Sequence, residues 1–454
     1  MTTNDRNPSV YGTLSSTRTL KPLRDLCVQK IGIQTGPFGS QLHNSDYVSI
    51  GVPIITVEHL GENIIDGKDA PLVSTEDAAR LARYTLETGD IVFSRVGSVD
   101  RRSIVSTSQR GWLFSGRLLR VRPNHELVNS TFLSYFFGLE SFKSYIRSIA
   151  VGATMPSLNT ELLSTVPVIV PAMEEQKVIA AVLASLDDKI RLNTELSQTL
   201  EAIAQTIFKS WFIDFDPVHA KSRGEKPEGM SDEIAALFPD SFEESELGLI
   251  PKGWVVKPAS DLYDVAIGRT PPRKEPEWFC EGNSGVQWVS IRDMGTYGVF
   301  STRTSECLTS EAVVKHRVPI VPENTVLMSF KLTVGKLCIT DTDLVTNEAI
   351  AHFKRNTSSP STEYTYLWLG NFEMGSLDST SSIGTATNSG GVRKIPFLVP
   401  VDSVMNSFNV FVESIFTQLK LLSKEIQTLT EIRDSLLPRL ISGEIEIPSE
   451  MLAS

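Results

Sequence analysis

Two long stretches of the chain place apolar residues seven apart, and both follow the same short motif. Val166-Pro167-Val168-Ile169-Val170-Pro171 and Ile395-Pro396-Phe397-Leu398-Val399-Pro400 are apolar, strand-like and closed by proline. In the stretch after the first, Ile179, Leu186, Asn193, Leu200 and Ile207 stand at a positions, with Val182, Lys189, Leu196 and Ile203 at d. After the second, Phe408, Ile415, Leu422, Leu429 and Leu436 take a, and Phe411, Gln418, Glu425 and Ile432 take d. An apolar seam of this period over four to five heptads predicts a coiled-coil helix. Asn193, Lys189, Gln418 and Glu425 interrupt the seams near their middles, where polar residues set register at a cost in stability. Each helix should span roughly 50 Å at about 1.5 Å per residue. If the two pair antiparallel, the repeats become related by a pseudo-two-fold axis. A repeat this long marks a duplicated domain pair, not a solenoid unit.

The segments before the helices read as mixed strand and loop. Ile54-Ile55-Thr56-Val57, Asp90-Ile91-Val92-Phe93-Ser94 and Leu118-Leu119-Arg120-Val121 predict strands, and residues 131–149 a helix. The second segment overlays the first at anchors. Ile31-Gly32 matches Ile267-Gly268, Val52 to Val57 matches Val286 to Ile291, and Gly89 to Ser94 resembles Glu323 to Ser329. Between anchors the sequences diverge, so the scaffold repeats and the surface does not. Residues 1–19 are polar and read as a disordered arm. Residues 215–253, rich in Pro, Gly and charge, read as a surface link.

Composition adds bounds. The 454 residues allow two to four domains, and no stretch approaches the roughly 18 apolar residues of a membrane span. The N-terminus lacks the apolar core of a signal peptide. Cys27, Cys280, Cys307 and Cys338 are scattered, which predicts neither a zinc site nor a disulfide framework and fits a reducing cytoplasm. The net charge of −11 looks wrong for a nucleic-acid binder, but its distribution matters more. The globular segments are near neutral, at +2 for residues 1–165 and −1 for 254–395. The remainder carries −8 over 166–253 and −4 over 396–454. Near-neutral domains can carry a basic face, whereas acidic helices suit a protein partner.

No catalytic constellation emerges. Gly335-Lys336 lacks the upstream glycine of a phosphate loop, and no glycine-rich dinucleotide fingerprint occurs. Pro271-Pro272 stands between Thr270 and Arg273, without the flanking residues an amino-methyltransferase needs. Asp214 and Asp216 beside Phe215 read as a turn or helix stop. The histidines have no metal-ligand spacing.

Residues able to contact DNA recur at matching places. The first segment offers a glycine-bearing loop with Phe38, Ser40 and Gln41, and a second loop with Arg95, Ser98, Arg101 and Arg102. The second segment offers Arg269, Arg273 and Lys274 at the place of the first loop, and Lys331 and Lys336 at that of the other. Gly152-Ala153-Thr154 and Gly384-Thr385 either present backbone amides to phosphate or make turns. Hydrogen-bonding side chains reach base edges, while Lys and Arg neutralise phosphates.

At this point the chain resembles the specificity subunit of type I restriction-modification systems. The stretches that carry the resemblance are Thr35-Gly36-Pro37-Phe38-Gly39-Ser40, Gly89 to Ser94, Val166 to Pro171 followed by Glu174-Glu175-Gln176, Ile207 to Pro217, Leu247 to Trp254, and Leu436 to Gly443. One departure stands after Pro400, where the Glu-Gln pair of the first repeat is missing. The resemblance implies an α+β fold: two pseudo-repeated globular target-recognition domains separated by two long antiparallel coiled-coil helices in a pseudo-two-fold, circular arrangement. The expected divisions are an arm at 1–19, recognition domains at 20–171 and 254–400, spacer helices at 172–214 and 401–441, a connector at 215–253 and a tail at 442–454. It also implies a non-catalytic subunit in which each recognition domain reads one half of a split, asymmetric double-stranded DNA site. Two methyltransferase subunits would dock on the helices, through Ile179, Leu186, Leu200, Ile207, Phe408, Ile415, Leu422 and Leu429. Two restriction subunits would complete the complex. S-adenosylmethionine, ATP and Mg would belong to those partners, with no cofactor in this chain. Two readings of other classes stand beside it: a coiled-coil scaffold whose ends bind proteins, and an enzyme with its own site.

Overall fold

The computed structural model describes residues 6–37, 41–152, 154–282, 284–357, 359–373 and 389–452. The chain is α+β and forms two compact units, one of residues 1–189 with 429–454, the other of residues 190–428. Two long helices, Met173–Phe212 and Asp402–Ser442, dominate the helical content, and each contributes to both units.

The units share one topology. In the first, a four-stranded sheet runs in the order Ile33–Thr35, Leu118–Val121, Ile91–Ser94, Arg102–Ile104. In the second, Tyr263–Ile267, Ile350–Arg355, Val326–Ser329 and Leu337–Ile339 take the same places. A further sheet runs Leu113–Phe114, Val52–Ile55, Leu72–Val73, Tyr47–Val48. Its counterpart runs Val345–Thr346, Val286–Val289, Glu306–Leu308, Phe279–Cys280. In both, only the first pair is parallel. The central strands are buried on both faces, which explains why they read as continuous apolar runs, not alternating ones. The proline-closed motifs are strands, Pro167–Val170 and Pro396–Val399, each leading into a long helix.

The register corrects one anchor. Gly36 donates its N–H to Leu118 O and Gly268 donates to Ile350 O, at the same step of the same ladder. Ile267-Gly268 therefore matches Thr35-Gly36, not Ile31-Gly32. A four-residue slip keeps the period of two, so the pattern alone does not reveal it.

The expected disordered arm is structured from residue 6. Arg6–Ser9 and Gly12–Ser15 form a hairpin, and Thr19–Pro22 pairs with Pro167–Val170. Tyr11 packs edge-on against Phe136 at 5.3 Å, and Leu14 is buried. The expected surface link is structured too. It holds helices Asp216–Ser222 and Asp232–Leu237 and a hairpin, Phe242–Ser245 with Gly248–Pro251, and buries Val218, Phe238 and Ile250 in the core of its unit. The two hairpins are equivalents. Ser9 and Ser245 each donate a hydroxyl to a glycine carbonyl across the turn, at Gly12 and Gly248, where φ is 103 and 88. Local polarity hides both segments because their apolar partners lie far off in sequence.

Arg18 shows how the first hairpin is anchored. Its buried guanidinium donates to the carbonyls of Leu440 and Ile441, at the end of the second long helix, and pairs with Glu175. Helix-end carbonyls lack intrahelical partners, so a buried cation there is favourable. Arg18→Ala is expected to destabilise this unit by roughly 2–3 kcal/mol, read as a melting temperature lower by roughly 5–10 °C.

Three further expectations are corrected. The helix over 131–149 is two, Ser130–Phe136 and Glu140–Ile149, because the chain turns at Gly138. The d positions of both seams are displaced by one residue. Leu196, Ile203, Phe411 and Ile432 are 42–45% exposed, while Leu183, Ala204, Val412 and Leu419 are buried. The buried stripe thus steps four then three from each a position, as a helix seated against a globular body does. Of the four polar interruptions only Asn193 is buried. Finally, Cys280 and Cys307 form a disulfide, as directly opposed partners of neighbouring antiparallel strands. Their separation of 27 residues carries no spacing motif, so only the sheet register brings them together.

At the missing Glu-Gln pair, buried Gln176 of the first repeat accepts from Asn129 N–H and donates to Pro171 O. Met405 stands at the matching place in the second helix, 9% exposed, so apolar packing replaces two hydrogen bonds.

Candidate nucleic-acid interface

Three loops meet at one edge of the first unit. The strand Ile33–Thr35 leads into Gly36, whose backbone lies so close to Ser115 that a Cβ would collide with that carbonyl. Arg95 opens the loop 95–101 and donates its N–H to Arg117 O and its guanidinium to Gly116 O. A fourth segment joins them: Val96 bridges Ser157, and Gly97 N–H donates to Pro156 O. The stretch with Gly152 and Thr154 is thereby drawn beside the loop with Ser98. Gly97 has φ 80, the left-handed turn that lets this loop reverse.

The second unit repeats the arrangement. Phe330 N–H donates to Ala349 O, and Arg269 N–H donates to Thr346 O. Ser329 N–H donates to Lys336 O as Ser94 N–H donates to Arg101 O, so Lys336 and Arg101 are equivalent. Lys331 is not the equivalent of Arg95. Phe330 holds that place, and Lys331 matches Val96. The loop glycines, with φ 80 at Gly97 and 87 at Gly335, mark the shared turn.

The candidate side chains fall into distinct groups. Ser98, Arg101, Thr154, Arg269, Lys274, Lys331 and Lys336 are exposed, and Gln41 and Arg95 are half-buried. Arg101 reaches back to Leu60 O and Arg269 to His316 O, so both are steadied from behind. Gln41 accepts a hydrogen bond from Tyr84. Arg102 is committed to the fold instead, and Arg273, though exposed, is held against its own unit. Arg102 is buried, donates to Ser134 O and pairs with Glu62. Arg273 makes a bidentate pair with Glu306, at 2.8 and 2.9 Å, and lies 4.3 and 4.6 Å over the rings of Phe279 and Trp288. The sequence around Arg102 looks like that of exposed Arg101, but the strand pleat turns Arg102 inward. Phe38, Ser40 and Thr385 lie outside the described residues. Arg117 is exposed at the centre of the first surface and belongs to no motif. Its signal is position alone, directly before an apolar strand.

Beneath each surface one ladder position holds a buried polar residue, Arg120 in the first unit and His352 in the second. Arg120 donates to Ile31 O, Thr85 O and the Gln34 side chain, and burial beside Arg122 pushes its pKa down to about 10. His352 Nε2 lies 2.7 Å from Thr346 Oγ1. Burial, and then Lys354, hold its pKa down at about 3. Because the folded value lies below the ordinary 6.5, the unfolded chain binds the extra proton between those limits. Stability of the second unit is therefore full above pH 6.5 and falls as pH drops toward 3, by up to about 1.4 kcal/mol per pH unit. Thermal melts from pH 7.5 to 5 should show this slope, and His352→Gln should flatten it.

The residues expected to bind partner subunits are buried to different degrees. Ile179, Phe408 and Leu422 are buried, and Leu186, Leu200, Ile207, Ile415 and Leu429 are half-buried. The apolar side chains left outside are others: Leu192, Leu196, Ile203, Val410, Phe411, Leu421 and Ile432, between 42 and 73% exposed. No helix among the described residues is long and apolar enough to cross a membrane.

Comparison with known proteins bears on these features. Residues 31–202 match the family model described as the type I restriction modification DNA specificity domain. The chain is 30% identical over 417 residues to the type I restriction enzyme HindI specificity subunit of Haemophilus influenzae, covering 82% of this chain and 90% of that one. It is 26% identical over 326 residues to the MjaIX specificity subunit of Methanocaldococcus jannaschii, 70% of each. Among solved structures it is similar in fold to the type I restriction-modification S subunit from M. genitalium, with TM-score 0.55 and 13% identity over 93% of this chain and 96% of that one. The chain belongs to the type I restriction enzyme specificity subunits, the non-catalytic members that give such a system its DNA sequence specificity.

Proposed function

We propose that each unit reads one half of a bipartite, asymmetric DNA site, and that the long helices set the gap between the halves. The observation that carries this reading is the recurrence of the same converging loops, at the same ladder positions, with different exposed side chains. Two copies of one scaffold bearing different surfaces suit two different half-sites. In the first reader the contacts come from Gln41, Arg95, Ser98, Arg101, Thr154 and Arg117, with Phe38 and Ser40, which precede Gln41 in the sequence, as further candidates. In the second they come from Arg269, Lys274, Lys331 and Lys336, with Thr385. Exposed Arg273 joins them, steadied by Glu306, while buried Arg102 supports its loop from within. The domain divisions at 20–171 and 254–400 remain the units of exchange.

Two methyltransferase subunits dock on the outward apolar residues of the helices, Leu196, Ile203, Phe411 and Ile432 among them. S-adenosylmethionine acts in those subunits. Two restriction subunits, using ATP and Mg, complete the nuclease, and the complex works in the cytoplasm. The acidic surface of the helices keeps phosphate away from the docking faces.

The test is exchange. Residues 20–171 are replaced by the matching segment of a specificity subunit with another target. The chain is co-expressed with its methyltransferase subunit, and modified adenines are mapped genome-wide. One half of the motif should change and the other stay. A change in both halves, or in neither, rejects the modular reading.

A further inference from the structure

The surfaces of the two units differ at their centres. In the first, the turn Ser115-Gly116-Arg117 lies between the loop that follows Gly36 and the loop 95–101. In the second, Asn347-Glu348-Ala349 lies between the loop that follows Gly268 and the loop 330–336. The backbone bonds from Arg95 to Arg117 and from Phe330 to Ala349 make the two turns equivalent, so Glu348 stands where the first unit has Gly116. Glu348 is exposed, and the Thr270 hydroxyl donates to its carboxylate. On one side of it come Arg269 and Lys274, on the other Lys331 and Lys336, all exposed.

A carboxylate amid cations that would neutralise phosphate opposes the electrostatic term that drives DNA binding. It favours a bound duplex where it meets a hydrogen-bond donor on a base edge. In the major groove the donors on base edges are the N4 amine of cytosine and the N6 amine of adenine. Guanine and thymine present acceptors there and would be repelled. We propose that Glu348 is a specificity-determining residue of the second reader, accepting a hydrogen bond from the exocyclic amine of one cytosine or adenine. Thr270 is the positioning residue that orients the carboxylate. The inference rests on the reading that the second unit recognises a half-site.

The experiment uses the whole chain co-expressed with its methyltransferase subunit, with modified adenines mapped genome-wide for wild type, Glu348→Ala and Glu348→Gln. Glu348→Ala should lose discrimination at one base of one half-site by about 10- to 100-fold, with the other half-site and the gap unchanged. Glu348→Gln keeps an acceptor for Thr270. It should retain an adenine at that position, and should broaden a cytosine position to admit adenine. Two results overturn the proposal: the wild-type motif in both variants, or a uniform loss at all sites that Gln restores, which would make Glu348 a loop support. A wild-type complex that methylates without a split motif would instead reject the two-reader reading itself.

Discussion

Gly268→Ala is expected to abolish recognition of one half-site while leaving the other readable. A Cβ there would collide with Thr346 Oγ1 and with the carbonyls of Thr346 and Asn347. Two of these are backbone atoms, which cannot swing aside. The crossing is held by the bonds from Gly268 N–H to Ile350 O, at 3.2 Å, and from Arg269 N–H to Thr346 O, at 2.9 Å. Relief of the overlap must part the loop carrying Arg269 and Lys274 from the turn carrying Glu348. Overpacking of this kind costs about 1–3 kcal/mol in stability. Its effect on reading is larger, because side chains on both loops leave their positions together. Methylation at cognate sites should fall by about 100-fold, the equivalent of one or two lost bidentate base contacts. Gly298→Ala is the control, since a Cβ there meets nothing within 4 Å. Equal activity in the two variants would show that the loop crossing does not matter for recognition.

A heptad inserted into each long helix, beside Asn193 and beside Gln418, is expected to lengthen the gap of the recognised site by about three base pairs. Seven residues add about 10 Å of helix at about 1.5 Å each, and base pairs stack about 3.4 Å apart. The insertion should be tolerated because the stripe of buried and half-buried residues repeats every seven, through Ile179, Leu186, Asn193 and Leu200 and again through Phe408, Ile415 and Leu422. Seven residues return every side chain near its original face. Two residues would turn the following stripe by about 200° at 3.6 residues per turn and should prevent assembly. Methylome mapping reads the gap directly. A heptad variant that methylates with the original gap would reject the helices as the ruler.

Much of this was legible without coordinates. The heptad period gave both long helices, since burial of one face requires an apolar residue about once per turn, in steps of three and four, whatever the partner. The 229-residue offset of the proline-closed motifs gave the duplication. Gly36 and Gly268 marked the loops that cross a neighbouring turn closely, because such crossings exclude a Cβ. Family membership was also readable, as it lives in continuous motifs.

Other features depended on residues distant in sequence. The polar hairpin at 6–15 is structured because Arg18 meets helix-end carbonyls at Leu440 and Ile441. Which helix stripe lies inside, and whether Arg102 or Arg101 faces solvent, turned on a single residue step, where period counts are weakest. The disulfide of Cys280 and Cys307 and the burial of Arg120 and His352 followed from strand register. The sequence by itself determined the repeat, the helices and the loop positions, because periodicity and backbone sterics act locally. Only the tertiary structure decided which side chains of those elements face outward, because that depends on what the rest of the chain packs against them.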